Sequence, residues 1–445
     1  MNRLDETLRR GLCTPAGAAL RAVCCALSAA IFFALLLLTP LLPREAADGF
    51  AARALLCVLL TLPFVLLLFA AGTLSSSRCA AGLLLLSAMA ACALFLRLVF
   101  LMHPSADYGN YLAPWMERMA GSGFRDAMRG EFSEYNVLYQ YLLFLAARLP
   151  FARLASVKLL SLWGDCLLAA GLVRLARGER RGIAAFACAL FLPTFVLNGG
   201  MFAQCDSLYA AAAVWGLAFA LEEKHYRASV CFALSLAFKL QAVFLFPVLP
   251  VLWADRRLRL SDVPIFLGTL ILIALPALLA GKSPAAIAGY YAGQTGLYTG
   301  LTYEAPTLFG LMNTEGLDVY AYGRFGILLA AGVCLLLASL GITRAGKLDA
   351  KEGIRLSALI ALSAVFFLPR MHERYFYLAE ALLAALYAKD ARRAPGLLAA
   401  ELACFSRLWD LGISLRAASL LMLLSLFLTA MPLREKESLG EGDKP

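Results

Sequence analysis

Residues 370–375 read Arg370-Met371-His372-Glu373-Arg374-Tyr375, a run of polar and ionisable groups lying between two apolar stretches. Charge at the edge of an apolar segment is unfavourable unless it handles something charged, so the run marks a candidate ligand site. An arginine fork matches a phosphate bidentately, and His372 adds a hydrogen-bond donor. The plainer reading is a Glu373–Arg374 pair anchoring a helix start at an interface. Lys239 and Gln241 are a second phosphate-binding candidate, against a lysine that snorkels to an interface. Asp107 follows an apolar run and sits among Tyr108, Tyr111 and Trp115. A carboxylate there suits a general base taking a proton from a hydroxyl, with aromatic rings to stack on sugar faces. A helix cap amid interfacial aromatics is the alternative. Gln204 and Asp206, after Asn198-Gly199-Gly200, add an amide and a carboxylate, or merely cap a glycine-containing loop.

Other polar positions carry less. Asp165 stands mid-helix two turns from Lys158, too far for an i,i+4 pair, and reads as an interior residue. Tyr290, Tyr291, Tyr298, Tyr303 and Glu304 form an aromatic-rich loop that fits a sugar or prenyl surface, or an ordinary interfacial belt. With three histidines in the whole chain, a metal site at His372 and Glu373 lacks ligands, and nothing in the sequence supports a divalent metal. No phosphate-cradling Gly-x-x-x-x-Gly-Lys-Ser/Thr loop occurs, so no nucleotide site is expected.

The elements that must position these groups are apolar. The chain is 62% hydrophobic and 16% charged, with a mean hydropathy of +0.76, which points to a lipid bilayer rather than water. The net charge of +10 lies in short basic runs between apolar segments, as the positive-inside rule expects, so nucleic acid is not the implied partner. The twelve cysteines are scattered in apolar runs and read as small hydrophobes.

Basic clusters assign the cytoplasmic face: Arg3/Arg9/Arg10, Arg78, Arg174 to Arg181, Lys224/Arg227, Arg256/Arg257/Arg259, Arg344 to Arg355, Lys389/Arg392/Arg393 and Arg434/Lys436. Helices are predicted near 17–42, 51–72, 79–102 and 156–174, with 103–153 an extracytoplasmic segment of short interfacial helices. The stretch 228–254 is split at Lys239, so that both its ends return to the cytoplasm. The expected fold is an all-α polytopic membrane protein with about 14 transmembrane helices. Residues 1–78 would be N-terminal helices, 79–390 the core, 391–433 C-terminal helices, and 434–445 a charged disordered tail. On this threading Asp107, Gln204, Asp206, Lys239, the 282–322 loop and His372-Glu373-Arg374 share the outer face, which suggests one chamber.

Taken in order, several stretches resemble a known group. They are Asp107-Tyr108…Tyr111-Leu-Ala-Pro-Trp115, Tyr135-Asn136…Tyr139-Gln-Tyr141, Lys158…Asp165, Asn198…Gln204-Cys-Asp206, Lys239-Leu-Gln241 and Pro369-Arg-Met-His-Glu-Arg-Tyr375. The chain from about residue 100 to 390 resembles bacterial membrane mannosyltransferases related to the eukaryotic GPI-anchor mannosyltransferase II, within the GT-C superfamily. The resemblance implies a GT-C-type fold in the plasma membrane and a polyprenyl-phosphate-linked hexose donor, with mannose expected. It also implies an extracytoplasmic active site and transfer with inversion to a glycan, lipid or protein acceptor. Asp107 would be the catalytic residue, and Lys239, His372 and Arg374 would bind the donor phosphate. Tyr108, Trp115, Tyr139, Gln204, Asp206, Gln241, Glu373 and Tyr375 would line the chamber. The pattern departs at Ala106, where many relatives have a second acid, at Phe202-Ala203 in place of Trp-Gly, and across Tyr135–Tyr139. A flippase or transporter of a lipid-linked saccharide, or a non-catalytic scaffold, are the rival expectations.

Overall fold

A computed structural model describes residues 44–72, 80–177, 179–293 and 299–432. The predicted helix at 17–42, the basic residues Arg3, Arg9, Arg10, Arg78, Arg434 and Lys436, Tyr298 and the charged tail lie outside the described residues. Helix makes up 78% of the structure.

The first two described helices are α1 (Phe50–Gly72) and α2 (Ala80–Val99). After them, 103–153 holds only short pieces: a π-helical turn at Tyr108–Leu112, α3 (Ala113–Gly121), α4 (Phe124–Arg129) and α5 (Val137–Ala146). The Asn136 side chain caps α5 by accepting from Val137 N at 2.7 Å. At 1.5 Å per residue, α5 is about half the length a hydrocarbon core requires, as its sequence implied.

α6 (Arg153–Ala176), 24 residues long and mostly buried, is followed by α7 (Glu179–Phe191) and α8 (Pro193–Val196). Pro193 contributes to a 50° bend between the last two, because it cannot donate to the helix before it. α8 passes into a second π-helical turn, Leu197–Met201. α9 (Asp206–Leu221) returns against α6. The contact is close because Gly164 faces it: a Cβ there would come within 3.0 Å of Leu208 N, the small-residue packing that apolar helices use in place of a hydrophobic drive.

α10 (His225–Phe238) stops at Lys239, and the chain continues as a 3₁₀ stretch (Leu240–Val248) and α11 (Leu249–Ala254). The split predicted at Lys239 is therefore present, and its two arms return together. Arg257 donates to Leu221 O at 2.8 Å and to Leu348 O at 3.0 Å, and His225 meets Asp262 at 2.7 Å. The remaining elements are α12 (Val263–Leu279), α13 (Pro284–Gly293), β1 (Thr302–Tyr303), α14 (Leu308–Leu311), α15 (Val319–Ile342), α16 (Ala350–Phe367), β2 (Met371–His372), α17 (Tyr377–Lys389), α18 (Ala394–Leu408) and α19 (Leu415–Ala430). β1 and β2 pair in parallel, Thr302 with Met371 and Tyr303 with His372.

One hydrophobic core runs from Ala46 to Met422. A second core, beneath α3–α5, includes Met116, Met119, Tyr139 and Leu143. Among the described residues, three helical segments are long and apolar enough to cross a membrane: Arg153–Ala176, Leu260–Leu279 and Val319–Ile342. The bent α7–α8 pair makes four if it is one span. Several other apolar helices have 10–17 residues, and about fourteen crossings is a finer statement than these lengths carry.

The basic residues at or beyond the ends of α6, α9 and α17 and at the start of α16 gather at one end of the bundle. Glu222, beyond the end of α9, takes Arg174, Arg177 and Lys224 at 2.6, 2.9 and 2.7 Å. Lys351, at the start of α16, pairs with Asp390, after the end of α17, at 2.9 Å. The opposite ends of α9, α10, α16 and α17 carry Asp206, Lys239 and the 370–375 run, and these converge.

Candidate functional site

Two backbone irregularities deliver the polar groups. Asp107 precedes the π-helical turn at Tyr108–Leu112, and Gln204 follows the one at Leu197–Met201. Such turns re-aim side chains out of a regular helix and are frequent at functional sites. Ser105 Oγ donates to Phe202 O and accepts from Tyr108 N, both at 3.1 Å, tying the two segments together. Ser161 on α6 fixes the second by donating to Gln204 O at 2.6 Å. Lys158 donates to His103 O at 2.7 Å and to Phe100 O, tying α6 to the chain beyond α2. Three non-glycine residues here adopt left-handed backbone: Ala203 at φ 57°, Glu304 at φ 56° and Arg370 at φ 64°. Each is strained by about 1–3 kcal/mol and needs its surroundings to hold it.

The side chains then meet. Asp107 Oδ2 accepts from Gln204 Nε2 at 2.6 Å and lies 3.3 Å from Arg374 Nη1. Arg374 also approaches Glu373 Oε1 at 3.6 Å. Burial alone would lower the Arg374 pKa, but Glu373, and then Tyr135, Tyr375 and Asp107, raise it above the ordinary value. Glu373 moves up, chiefly because it is buried. Lys239 Nζ sits 2.5 Å from Asp206 Oδ1 and between two aromatic faces, 5.6 Å from the Tyr135 ring centroid and 5.8 Å from that of Tyr375. Asp206 Oδ2 accepts from Asn198 Nδ2 at 2.9 Å.

Two cavities meet at Arg374. The polar lining of the larger, about 360 Å³, includes Glu134, Lys239, Gln241, Arg324, Arg370, Arg374 and Tyr375. Leu240, Val243, Phe244, Val319 and Ile327 make much of the rest apolar. The smaller, about 210 Å³, is polar: Ser105, Asp107, Asn198, Gln204, Glu373, Arg374 and Arg407 line it. Within this site the Nε atoms of Arg374 and Arg407, Oδ1 of Asn198 and Oε1 of Gln241 are buried without a hydrogen-bond partner among the described residues. Unmet donors and acceptors on cavity walls are what a polar ligand would satisfy.

Some expected chamber residues stand elsewhere. Trp115 and Tyr139 are buried in the second core, packed edge-on and tilted against Tyr135 with ring centroids at 5.7 and 5.0 Å, and line neither cavity. Their rings support the wall instead of forming it. Tyr108 packs against the same core. Asp206 is fully buried as the counter-ion of Lys239 and does not reach either cavity. His372 also lines neither; it stacks on Tyr303, ring centroids 5.1 Å apart. Burial, then the charges of Arg374 and Lys239, push its pKa down to about 3, so it is a neutral imidazole near pH 7 rather than a cation.

Three participants were not singled out by sequence. Arg97 on α2 binds Asp165 at 2.6 Å, both buried, and donates to Leu190 O at 3.0 Å. This supplies the partner Asp165 needed. Arg370 lay inside the polar run without a role of its own, and Arg407 lies beyond the stretch that carries the resemblance. Among the described residues, no group of three or more His, Cys, Asp or Glu side chains is placed to hold a metal. No family model matches the chain, and no curated protein matches it significantly.

Proposed function

We propose that the protein is an integral membrane glycosyltransferase of the GT-C kind. It would take a hexose, mannose first among candidates, from a polyprenyl-phosphate carrier and place it on an acceptor outside the cytoplasm. The observation that carries this reading is Arg374 standing between an apolar cavity and a polar one that contains Asp107.

A prenyl chain suits the apolar wall made by α15 and the 3₁₀ stretch after Lys239, with its phosphate toward Arg370, Arg374 and Lys239. An acceptor hydroxyl in the smaller cavity would attack the anomeric carbon from the far side. The new C–O bond forms as the bond to the phosphate oxygen breaks, and that oxygen keeps the electron pair. The proton passes to Asp107, while Arg374 stabilises the charge growing on the departing phosphate. His372 contributes as a neutral, stacked residue that shapes the 370–375 turn. The Arg174/Arg177/Lys224 and Lys351/Arg392/Arg393 clusters lie at the end opposite the site, and by the charge rule they support an outward-facing site in a plasma membrane protein with about fourteen crossings. A transporter would place its ligand groups near mid-depth between two related halves, whereas the groups here gather at one end.

The test is incubation of the purified protein with polyprenyl-phosphate mannose and polyprenyl-phosphate glucose, following loss of the donor. Consumption of one donor by the wild type, and none by Asp107→Asn, is expected. A folded wild type that consumes neither, with or without membrane-glycan extract as acceptor, would overturn the reading.

A further inference from the structure

We propose that the smaller cavity selects an acceptor that carries an anionic group, phosphate or carboxylate, beside the reacting hydroxyl. Arg407 is its anion-binding residue, and Glu304 is the internal anion that occupies Arg407 when no acceptor is bound. This rests on the transferase reading for the identity of the acceptor, but its evidence is separate.

Of the two guanidinium groups in the cavity wall, Arg374 has carboxylates within the same wall, Asp107 and Glu373. Arg407 is different. Among the described residues its carboxylate partner is Glu304, which does not line the cavity. Nη1 of Arg407 donates to Ile413 O at 2.7 Å, Nη2 is bonded to Glu304, and Nε is buried without a partner among the described residues. Nε and Nη2 form one edge of the guanidinium fork, the edge that grips an oxyanion with two parallel bonds. One of those bonds is unmade, and the other goes to a carboxylate that is easily exchanged. The Glu304 side chain is 61% exposed, so solvent screens the pair. Its backbone is left-handed at φ 56°, so the position is strained as it stands. Asn198 Oδ1, on the same wall and without a donor, supplies what the sugar hydroxyl of such an acceptor would satisfy.

Equilibrium binding decides the question independently of turnover. The probes are an octyl mannoside, its 6-phosphate and an octyl mannuronide, titrated into the purified protein in nanodiscs. One or both anionic glycosides should bind about ten-fold more tightly than the neutral one, as expected for a charge-assisted bidentate contact. The two anionic arms distinguish phosphate from carboxylate. Arg407→Gln should bring the preference down to about one-fold. Glu304→Gln should move it the other way, strengthening anion binding several-fold by removing the competitor, which a misfolded variant would not do. Equal affinity for all three glycosides would overturn the proposal. So would a preference that survives Arg407→Gln, or weaker anion binding in Glu304→Gln. Donor consumption without anion selectivity would refute the selectivity and leave the transferase reading. Anion selectivity without donor consumption would do the reverse.

Discussion

Removing either half of the Lys239–Asp206 pair should destabilise the protein far more than removing both. Asp206 has no exposed surface and the Lys239 side chain is 5% exposed, so Asp206 cannot recover its hydration when Lys239 is removed, and Lys239 recovers only what the larger cavity admits. At an effective dielectric near 20, two unit charges at 2.5 Å attract by about 6–7 kcal/mol. Desolvating two ions opposes this by several kcal/mol each, so the intact pair adds little net stability. Asp206→Asn leaves an uncompensated ammonium and Lys239→Met an uncompensated carboxylate. Each should cost about 3–5 kcal/mol. The double variant should lie within about 1 kcal/mol of the wild type, giving a large non-additive coupling. Unfolding in mixed micelles with rising dodecyl sulfate, followed by tryptophan fluorescence, measures all four proteins. The double variant should fold and yet fail to bind polyprenyl-phosphate donor, because the lysine itself is absent. Singles below about 1 kcal/mol, or a double equal to their sum, would refute the argument that the pair sits in a low-dielectric interior.

The other predictions concern chemistry, titration and sidedness. Asp107→Asn should lower sugar transfer by about 10²–10⁴-fold and leave thermal stability nearly unchanged, since 36% of this side chain is exposed; unaltered initial rates would remove it from the chemistry. His372 resists protonation down to about pH 3 in the folded protein, whereas an unfolded histidine takes up a proton near 6.5. The unfolded state therefore binds more protons between those values, and stability should decline as pH falls below about 6.5. Thermal melts at stepped pH should show a shallower decline in His372→Gln, and an identical slope would exclude the assignment. Single cysteines at Tyr108 and Met371 should react with an impermeant maleimide added outside cells, and one at Lys224 only after lysis. Reaction of the first two from opposite sides would dismantle the site.

What the sequence disclosed was where charge interrupts apolar runs. Lys239 had to break its helix, and the flanking basic residues then required both arms to return to one end; Arg257 against Leu221 and Leu348 shows that they do. The meeting of Asp107, Gln204 and Arg374 followed from the same rule. Pairing within the apolar bulk was not legible. Arg97 and Asp165 are 68 positions apart, and a one-dimensional pattern does not tell which face of α2 turns toward α6. Trp115 and Tyr139 misled for a related reason. Aromatic enrichment marks both a sugar platform and the core behind one, and only burial separates them.

That distinction also assigns the work of the polar residues. Asp206 and Asn198 hold Lys239 in place, Ser161 holds the Gln204 segment, and Ser105 links that segment to the one bearing Asp107. The groups that would meet the ligand are thus oriented by Asp206 and Ser161 behind the walls and by Asn198 and Ser105 within the wall of the smaller cavity, as preorganised electrostatic sites require. Three of the six described non-glycine residues with left-handed backbone, Ala203, Glu304 and Arg370, lie on segments entering the site; Arg177, Glu223 and Arg256 lie at the other end. Strained conformations persist only where surrounding contacts over-determine them. The parallel pairing of β1 with β2 does this for two of the three, since Arg370 N donates to Leu301 O at 2.8 Å and Glu304 bridges to His372. Loosening that strap, by Thr302→Pro for example, should therefore disturb Arg374 and Arg407 together, although neither residue belongs to it.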